Sequence, residues 1–346
     1  MKGYYLSERP SISIPNSIKA MYDADLIFEN AGLTKIIPTC TAYPYFSRKH
    51  KIYKFICLRK FKRACDKLKD EYIFLQYPTN FGYRRLFSHA IADISRRNKV
   101  IFLINNLNGL KYESKRIERI DRFILRKSNR IISQNEKMSD YLHREYRIPS
   151  NRMMNLDFMI YLTESINVDS REKRNEIVYA GNIDDSENFI DEYRKEKIGT
   201  TMSVYGQSKS QEKLDSDNVK YRGKFPNDIV NLKLKGSFGL VWGGKSSKKL
   251  NGNLGNYARI NSPHKASLYI VARLPIITSN EAAIAPFVER YNIGFTINSL
   301  SEIPEKIRNL TQDEYGKMVS NITLVSNRIS KGKNLLDLIE KVVASS

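Results

Sequence analysis

Short apolar runs alternate along the chain with longer segments in which apolar residues recur every three or four positions. In the N-terminal half, the short runs are Tyr4–Leu6, Lys35–Ile37, Tyr72–Tyr77, Val100–Ile104 and Arg130–Ser133. In the C-terminal half, they are Glu176–Ala180, Thr201–Tyr205, Val219–Arg222, Phe238–Trp242, Pro275–Thr278 and Gly294–Ile297. This alternation is typical of parallel β-sheets with helices on both faces. The pattern therefore predicts an α/β protein of two Rossmann-like domains, whose parallel sheets face a central cleft.

The domain boundary is predicted from a polar segment near the middle of the chain. Tyr161–Arg174 is charged and has no apolar period, which is typical of a linker. A chain of 346 residues also favours two domains by its length. We therefore expect an N-terminal domain over residues 1–165 and a C-terminal domain over residues 174–329. Helical patterns continue afterwards, and the last one, about residues 330–346, could pack back on the N-terminal domain.

Apolar content and cysteines indicate the compartment. Hydrophobic residues make up 41% of the chain, yet no apolar run approaches the roughly 20 residues that span a bilayer. Met1–Leu6 lacks the apolar core of a secretory signal. We expect a cytoplasmic protein. Its three cysteines, Cys40, Cys57 and Cys65, form no CxxC pair and are expected to be reduced packing residues.

The net charge of +21 predicts an anionic partner, which could be nucleic acid, a membrane surface or a phosphorylated ligand. The densest stretch, residues 48–70, holds ten Lys or Arg against two Asp. Within it, apolar residues fall at helical spacing: Leu58, Phe61, Cys65, Leu68 and Tyr72. Such a helix could pack on a sheet with solvated lysines outside, or contact anionic lipid head groups on the inner face of the cell membrane. Nucleic acid is not expected, because the signatures of common nucleic-acid-binding modules are missing.

Glycines follow two of the predicted strands. Gly181 and Asn182 come after Glu176–Ala180, and Gly206 comes after Thr201–Tyr205. Ligands of open α/β sheets bind at the carboxyl ends of strands, where a glycine lets backbone amides approach a phosphate or sugar. A plain tight turn explains each glycine equally well, so the repetition adds weight and does not decide the question.

Polar residues also gather before an apolar helix over Gly255–Leu268. Ser262 is a plausible N-cap, Pro263 suits the first turn, and His264 and Lys265 lie beside the free N–H groups of the helix start. This combination suits a diphosphate. An ordinary capped helix with a solvated Lys265 is the alternative.

Two glutamates downstream are candidates for a ribose contact. Glu281 lies at a loop-to-helix junction, where its carboxylate could accept hydrogen bonds from both ribose hydroxyls. Glu289 lies farther into the helix, where solvent exposure explains it equally well. Glu281 is the better candidate.

Several motifs together resemble bacterial GT-B glycosyltransferases, especially β-1,6-galactofuranosyltransferases and the glucosyltransferases that extend O-glycans on serine-rich adhesins. The resemblance covers most of the chain. Its motifs are Phe74–Pro78, Asn135–Met138, Val178–Asn182, Gly236–Trp242, Asn261–Lys265 and Leu274–Ile277.

This resemblance implies a hexosyltransferase that moves galactofuranose, galactose or glucose from a UDP-sugar to a glycan acceptor on a lipid carrier, polysaccharide or glycoprotein. The diphosphate would lie near Lys265, the nucleoside near the loops of Asn182, Gly206 and Glu281, and the acceptor on the N-terminal domain. The implied UDP-sugar-binding residues are Gly181, Asn182, Tyr205, Gly206, Trp242, Tyr257, Asn261, Ser262, His264, Lys265 and Glu281. No metal cofactor is expected, because basic side chains and a helix dipole can neutralise the leaving diphosphate. The sequence leaves a homo-oligomer open.

One departure from the family concerns the acceptor side. Relatives carry a His-Asp pair after the strand that ends here at Ile104, whereas this chain has Asn105 and Asn106. An asparagine can orient an acceptor hydroxyl but cannot take its proton. Another carboxylate could serve as the base, the chemistry could proceed without it, or the chain could be a non-catalytic partner that binds UDP-sugar or stabilises an active transferase.

Overall fold

A computed structural model describes residues 3–7, 19–36, 48–79, 84–164, 171–181, 183, 189–207, 215–227 and 229–344. The chain divides into two compact units. We call them the N-terminal unit, Met1–Leu156 with Asn334–Ser346, and the C-terminal unit, Asp157–Lys333. Each of the eleven predicted strands is present, with its ends shifted by at most one residue.

The N-terminal unit is built on a parallel sheet. Its strands are β1 (Tyr4–Leu6), β2 (Thr34–Ile36), β3 (Tyr72–Tyr77), β4 (Lys99–Ile104), β5 (Arg130–Ser133) and β6 (Met153–Asn155). They lie in the order β2-β1-β3-β4-β5-β6, and every pair is parallel. Strand β6 was not predicted, because none of its three residues is fully buried and the segment forms no apolar run.

Helices cover this sheet. They are α1 (Lys19–Asn30), α2 (Arg48–Cys65), α3 (Arg84–Ile94), α4 (Asn108–Lys111), α5 (Lys115–Leu125) and α6 (Glu136–Tyr146). As predicted, α2 turns one apolar side to the core, with Leu58, Phe61 and Cys65 buried. Burial raises the pKa of the Cys65 thiol to about 12, so this thiol is an inert packing group.

Cys57 corrects the expectation that all three cysteines are reduced. It is disulfide-bonded in this structure. An odd number of cysteines excludes a complete disulfide framework but not a single pair, because pairing depends on which cysteines the fold brings together.

The C-terminal unit repeats the architecture. Its strands are β7 (Glu176–Ala180), β8 (Thr201–Tyr205), β9 (Val219–Tyr221), β10 (Phe238–Val241), β11 (Ile276–Ser279) and β12 (Gly294–Ile297), in the order β12-β11-β10-β7-β8-β9. Its helices are α7 (Ile190–Glu196), α8 (Val230–Lys233), α9 (Gly252–Ala258), α10 (His264–Val271), α11 (Ala285–Arg290), α12 (Ile303–Asn309) and α13 (Gln312–Ile329). All strand pairs are again parallel.

The chain ends in α14 (Lys333–Ala344), most of which belongs to the N-terminal unit. The Tyr72 hydroxyl in β3 donates a hydrogen bond to the Val343 carbonyl at 3.1 Å, so the helix contacts the N-terminal sheet. The boundary between the units lies at Leu156 and Asp157, ahead of the expected linker. No helix in the described part of the chain is both long and apolar enough to cross a membrane.

Candidate active site

The carboxyl ends of β7 and β10 mark the point where the C-terminal sheet changes direction. Strands β8 and β9 follow β7 on one side, whereas β10, β11 and β12 extend on the other. Open α/β sheets bind ligands in the crevice at this point. A ligand-binding site is therefore expected among the residues that follow these strands.

Gly181 and Gly206 pack against each other at this edge. The Gly181 N–H donates to the Tyr205 carbonyl at 2.9 Å, and Gly206 adopts a φ of +143°. A methyl group on Gly206 would lie 1.8 Å from the Gly181 carbonyl oxygen, so only glycine fits. The two turns therefore form one compact unit at the ends of β7 and β8.

Lys265 reaches this pair of glycines from the first turn of α10. Its Nζ lies 4.0 Å from the ring centroid of Tyr179, and a methyl group on Gly181 would be 3.2 Å from it. Among the described residues, no carboxylate lies within 4 Å of the ammonium group. The lysine is half-buried, with an aromatic face beneath its ammonium group.

Tyr269 fixes the position of α10 on the sheet. Its ring covers Gly239 of β10, where a methyl group would lie 2.3 Å from the ring, and its hydroxyl accepts the Ala180 N–H at 2.7 Å. Burial raises the pKa of this hydroxyl far above its usual range, so it stays neutral. Lys265 lies one helical turn earlier on the same face, and is therefore held over the end of β7.

Ser262 and His264 differ from expectation. Helix α10 begins at His264 with Pro263 as its N-cap, and the Ser262 hydroxyl donates instead to the Asp157 carbonyl at 3.0 Å. His264 contacts the Ile160 carbonyl through Nε2 at 3.1 Å and stacks on Tyr161 at 4.9 Å. These side chains tie the segment after β6 to α10, so they support the helix start, and their ligand contacts stay predictions.

Tyr205 and Trp242 also support the site from within the core. Both are 3% exposed. The Tyr205 hydroxyl accepts the Lys235 N–H at 2.9 Å, and the Trp242 indole N–H donates to the Ser246 carbonyl at 2.8 Å. Both polar atoms are therefore engaged within the protein, and direct ligand contacts of Tyr205 and Trp242 stay predictions. Sequence position alone cannot show which way a side chain after a strand points.

Three further predicted residues lie on or beside this edge. Tyr257 in α9 is buried at 4% exposure, whereas Asn261 is half-buried and its N–H donates to the Tyr257 carbonyl at 3.0 Å. Asn182 lies outside the described residues. Their ligand contacts stay predictions.

Glu281 follows β11 and is exposed. Its carboxylate accepts a hydrogen bond from Arg259 at 2.7 Å, and its N–H donates to the Ser279 hydroxyl at 3.2 Å. Glu289 in α11 instead accepts from the Thr296 hydroxyl at 2.8 Å. Glu281 is thus held in place by a cation beside the loop, and keeps acceptor capacity for adjacent hydroxyls.

Replacing Glu281 with Gln should weaken UDP binding about tenfold, because hydrogen bonds from hydroxyls to a charged acceptor contribute roughly 1.5 kcal/mol or more. Glu289→Gln removes the same charge from the same region and should change affinity less than about twofold. Isothermal titration with UDP measures both. Equal effects of the two substitutions would make both glutamates surface residues.

A buried polar network lies at the carboxyl ends of the N-terminal sheet. The Ser7 hydroxyl donates to Asp25, whose other oxygen accepts from Gln76 Nε2 at 2.8 Å. Gln76 Oε1 in turn accepts from Asn105 Nδ2 at 2.7 Å, and the Asn105 carbonyl accepts from Gln134 at 2.6 Å. The network joins the residues that follow β1, β4 and β5 with the side chain of Gln76 in β3.

This network sets the direction of the Asn105 amide. Gln76 turns its NH₂ toward an Asp25 oxygen and its own oxygen toward the Asn105 NH₂. Asn105 Oδ1 is consequently left buried with no hydrogen-bond partner. An orphaned buried acceptor costs about 1–3 kcal/mol, and a ligand hydroxyl would satisfy it. Asn106 follows in the same turn, with its N–H donated to the Tyr77 carbonyl at 3.3 Å.

The described residues offer no metal site. They contain no group of three or more His, Cys, Asp or Glu side chains placed to hold a metal ion. Independence from metal stays a prediction for the whole chain.

Sequence reasoning missed Tyr269, Arg259 and the link from Asp25 to Asn105. Lys265 and Tyr269 lie four residues apart in the predicted apolar helix, and this spacing could have indicated that they share one helix face. The other contacts join residues 22, 51 and 29 positions apart and carry no local signal.

Sequence comparisons match both units to one family. The profile described as Glucosyltransferase 3-like, N-terminal domain, matches residues 17–157, and the C-terminal domain profile of that family matches residues 177–342. The β-1,6-galactofuranosyltransferase WbbI of Escherichia coli strain K12 is 28% identical over 80% of this chain and 79% of its own. Glucosyltransferase 3 of Streptococcus gordonii is 29% identical over 42% of this chain and 43% of its own.

Solved structures show the same fold. HepE of Anabaena, crystallised in complex with UDP and glucose, matches with a TM-score of 0.61 over all of both chains at 11% identity. The lipopolysaccharide outer core galactosyltransferase WaaB matches with a TM-score of 0.60 over 99% of both chains at 10% identity. Two parallel-sheet units of the GT-B type, together with both domain profiles, place this chain in the glucosyltransferase 3-like family of glycosyltransferases.

Proposed function

We propose that this protein transfers a hexose from a UDP-sugar to a glycan acceptor. The observation that carries the proposal is Lys265, a half-buried cation without a carboxylate partner in the described structure, held between Tyr179 and Gly181 at the end of β7. A diphosphate placed there meets a full positive charge and the start of α10.

The same arrangement suits departure of UDP. Negative charge develops on the diphosphate as its bond to the sugar breaks, and preorganised positive groups stabilise that charge. Lys265 supplies one unit charge, and the start of α10 supplies about half a unit through the helix dipole. Glu281, held by Arg259, accepts the ribose hydroxyls, and transfer needs no metal in this scheme.

Relatives support the choice of donor. WbbI is a galactofuranosyltransferase and the streptococcal relatives are glucosyltransferases, while HepE binds UDP-glucose. Galactofuranose, galactose and glucose are therefore the sugars proposed for this chain. The acceptor is a glycan on a lipid carrier, polysaccharide or glycoprotein.

Asn105 is proposed to orient the acceptor. Among the described residues, its buried Oδ1 has no hydrogen-bond donor, and an acceptor hydroxyl that gains access to it on binding would supply one. Because an amide has no usable pKa, Asn105 positions the hydroxyl and takes no proton from it. Asn106, in the same turn, is proposed to assist.

Binding and slow hydrolysis of UDP-glucose, UDP-galactose, UDP-galactofuranose and UDP-N-acetylglucosamine test the proposal. One of these donors should raise the melting temperature and release UDP over hours, whereas short oligonucleotides should do neither. Stabilisation without UDP release, with every candidate acceptor tried, would favour the alternative of a non-catalytic partner. Stabilisation by none of the donors would refute UDP-sugar binding.

Helix α2 is proposed to hold the enzyme on an anionic membrane surface. Ile52 and Ile56 are 66% and 42% exposed, and Arg59, Lys60 and Arg63 continue the same face toward the end of the helix. An exposed face that mixes apolar and basic side chains fits an interface with anionic lipids. Such binding would place the enzyme at the inner face of the cell membrane.

Replacing Arg59, Lys60 and Arg63 with Gln should lower partition onto phosphatidylglycerol vesicles roughly 100-fold, because each basic residue contributes about 1 kcal/mol. Lys60→Gln alone should cost about fivefold. Lys62→Gln is the matched control, since Lys62 already pairs with Asp66 at 3.0 Å and with Asp93 at 3.9 Å. Co-sedimentation at low salt measures the partition. If the wild-type protein does not co-sediment with the vesicles, helix α2 is not a membrane-binding surface.

A further inference from the structure

A second charged concavity lies in the N-terminal unit, away from the proposed acceptor residues. It has a volume of about 340 Å³, at the lower end of the range for small-molecule sites. Its walls come from the ends of α3 and α5 and from the starts of β5 and β6. Asn105 follows the carboxyl end of β4, so the cavity lies at the opposite, amino edge of the sheet.

Four cations line this cavity, and no carboxylate does. They are Arg96, Arg126, Lys127 and Arg152, with polar atoms of Ser95 and Asn129 between them. Arg96 lies 3.6 Å from Asp93. For Arg126, Lys127 and Arg152, the described structure places no carboxylate within the 4.0 Å of an ion pair. Lys127 lies 5.4 Å over the ring of Phe123.

The negative ends of nearby helices explain only part of this accumulation of positive side chains. Two helices, α3 and α5, end at the cavity, and each contributes about half a negative charge through its dipole. Basic residues in a last turn usually complement that dipole. Here, about one negative charge from two helix ends and the Asp93 carboxylate beside Arg96 face four positive side chains, which leaves a surplus of about two positive charges.

We infer that this cavity binds a phosphate group. Arg126 and Arg152 offer planar forks that match phosphate oxygens, and Lys127 adds a point charge. The phosphate could come from a phospholipid head group or from a soluble phosphate ester. Phe123, which is 44% exposed beside Lys127, would meet the apolar part of a lipid and has no role with a soluble ester. This inference is independent of the donor site.

The experiment compares two double variants of the full chain, both in the Lys265→Ala background so that the proposed donor site does not contribute. Arg126→Gln with Arg152→Gln removes two cavity charges. Arg116→Gln with Arg119→Gln removes two exposed charges from α5 outside the cavity. Each is titrated with pyrophosphate by calorimetry and tested on phosphatidylglycerol vesicles, with phosphatidylcholine vesicles as the blank.

The cavity variant should bind at least one probe about tenfold or more weakly than the control variant, because charge-assisted hydrogen bonds to phosphate are lost. Loss of pyrophosphate binding identifies a soluble ester, and loss confined to vesicles identifies a lipid head group. Equal losses in the two variants, or no binding of either probe by the Lys265→Ala parent, would overturn the inference.

Discussion

UDP affinity should fall roughly 10- to 150-fold when Lys265 is replaced by Ala, because a charge-assisted contact to a diphosphate contributes about 1.5–3 kcal/mol. The fold should survive. The substitution also removes the contact with Tyr179, 4.0 Å away, which contributes about 1 kcal/mol at most in a half-exposed setting. Isothermal titration calorimetry gives the affinity, and circular dichroism checks the fold.

Lys306→Ala is the matched control, since it removes an equal charge from an exposed position in α12 of the same unit. It should change UDP affinity less than about twofold. Lys265→Arg should recover part of the binding, because the charge is kept although the shape differs. An unchanged UDP affinity in Lys265→Ala would refute the proposal that the diphosphate binds beside Lys265.

Gly206→Ala should destabilise the C-terminal unit by roughly 3–5 kcal/mol and abolish measurable UDP binding. The added methyl group would lie 1.8 Å from the Gly181 carbonyl oxygen, and alanine is strained at a φ of +143°. To relieve the clash, the turn after β7 must move away from the turn after β8. Differential scanning calorimetry measures the stability, and titration with UDP measures the site.

Gly316→Ala is a control substitution that should raise the stability of the same unit. Gly316 lies inside α13, and a methyl group there meets nothing within 4 Å. Alanine is the better helix former by up to about 1 kcal/mol, so this variant should be slightly more stable than the wild type. If Gly206→Ala kept the wild-type melting temperature, the tight packing of the two turns would be refuted.

The expectations that held for the fold depend on local patterns. Strands such as Tyr72–Tyr77 and Phe238–Val241 are buried on both faces and form continuous apolar runs, so they are detectable without tertiary information. The apolar side of α2 was likewise predictable, because helical periodicity identifies a buried face directly. Strand β6, in which no residue is fully buried, gave no pattern of comparable strength.

The residues gathered at the end of β7 show where sequence reasoning stops. The chain by itself determined that glycines follow two strands and that Lys265 begins a helix. Only the tertiary structure decided which side chains form hydrogen bonds to the protein backbone: Tyr205, Trp242, Ser262 and His264. It also decided that Tyr269 holds α10 over Gly239. Periodicity reports the environment of each position along one element. Long-range packing brings together hydrogen-bond partners such as Ser262 and Asp157, which lie 105 residues apart, and such a pairing is not encoded locally.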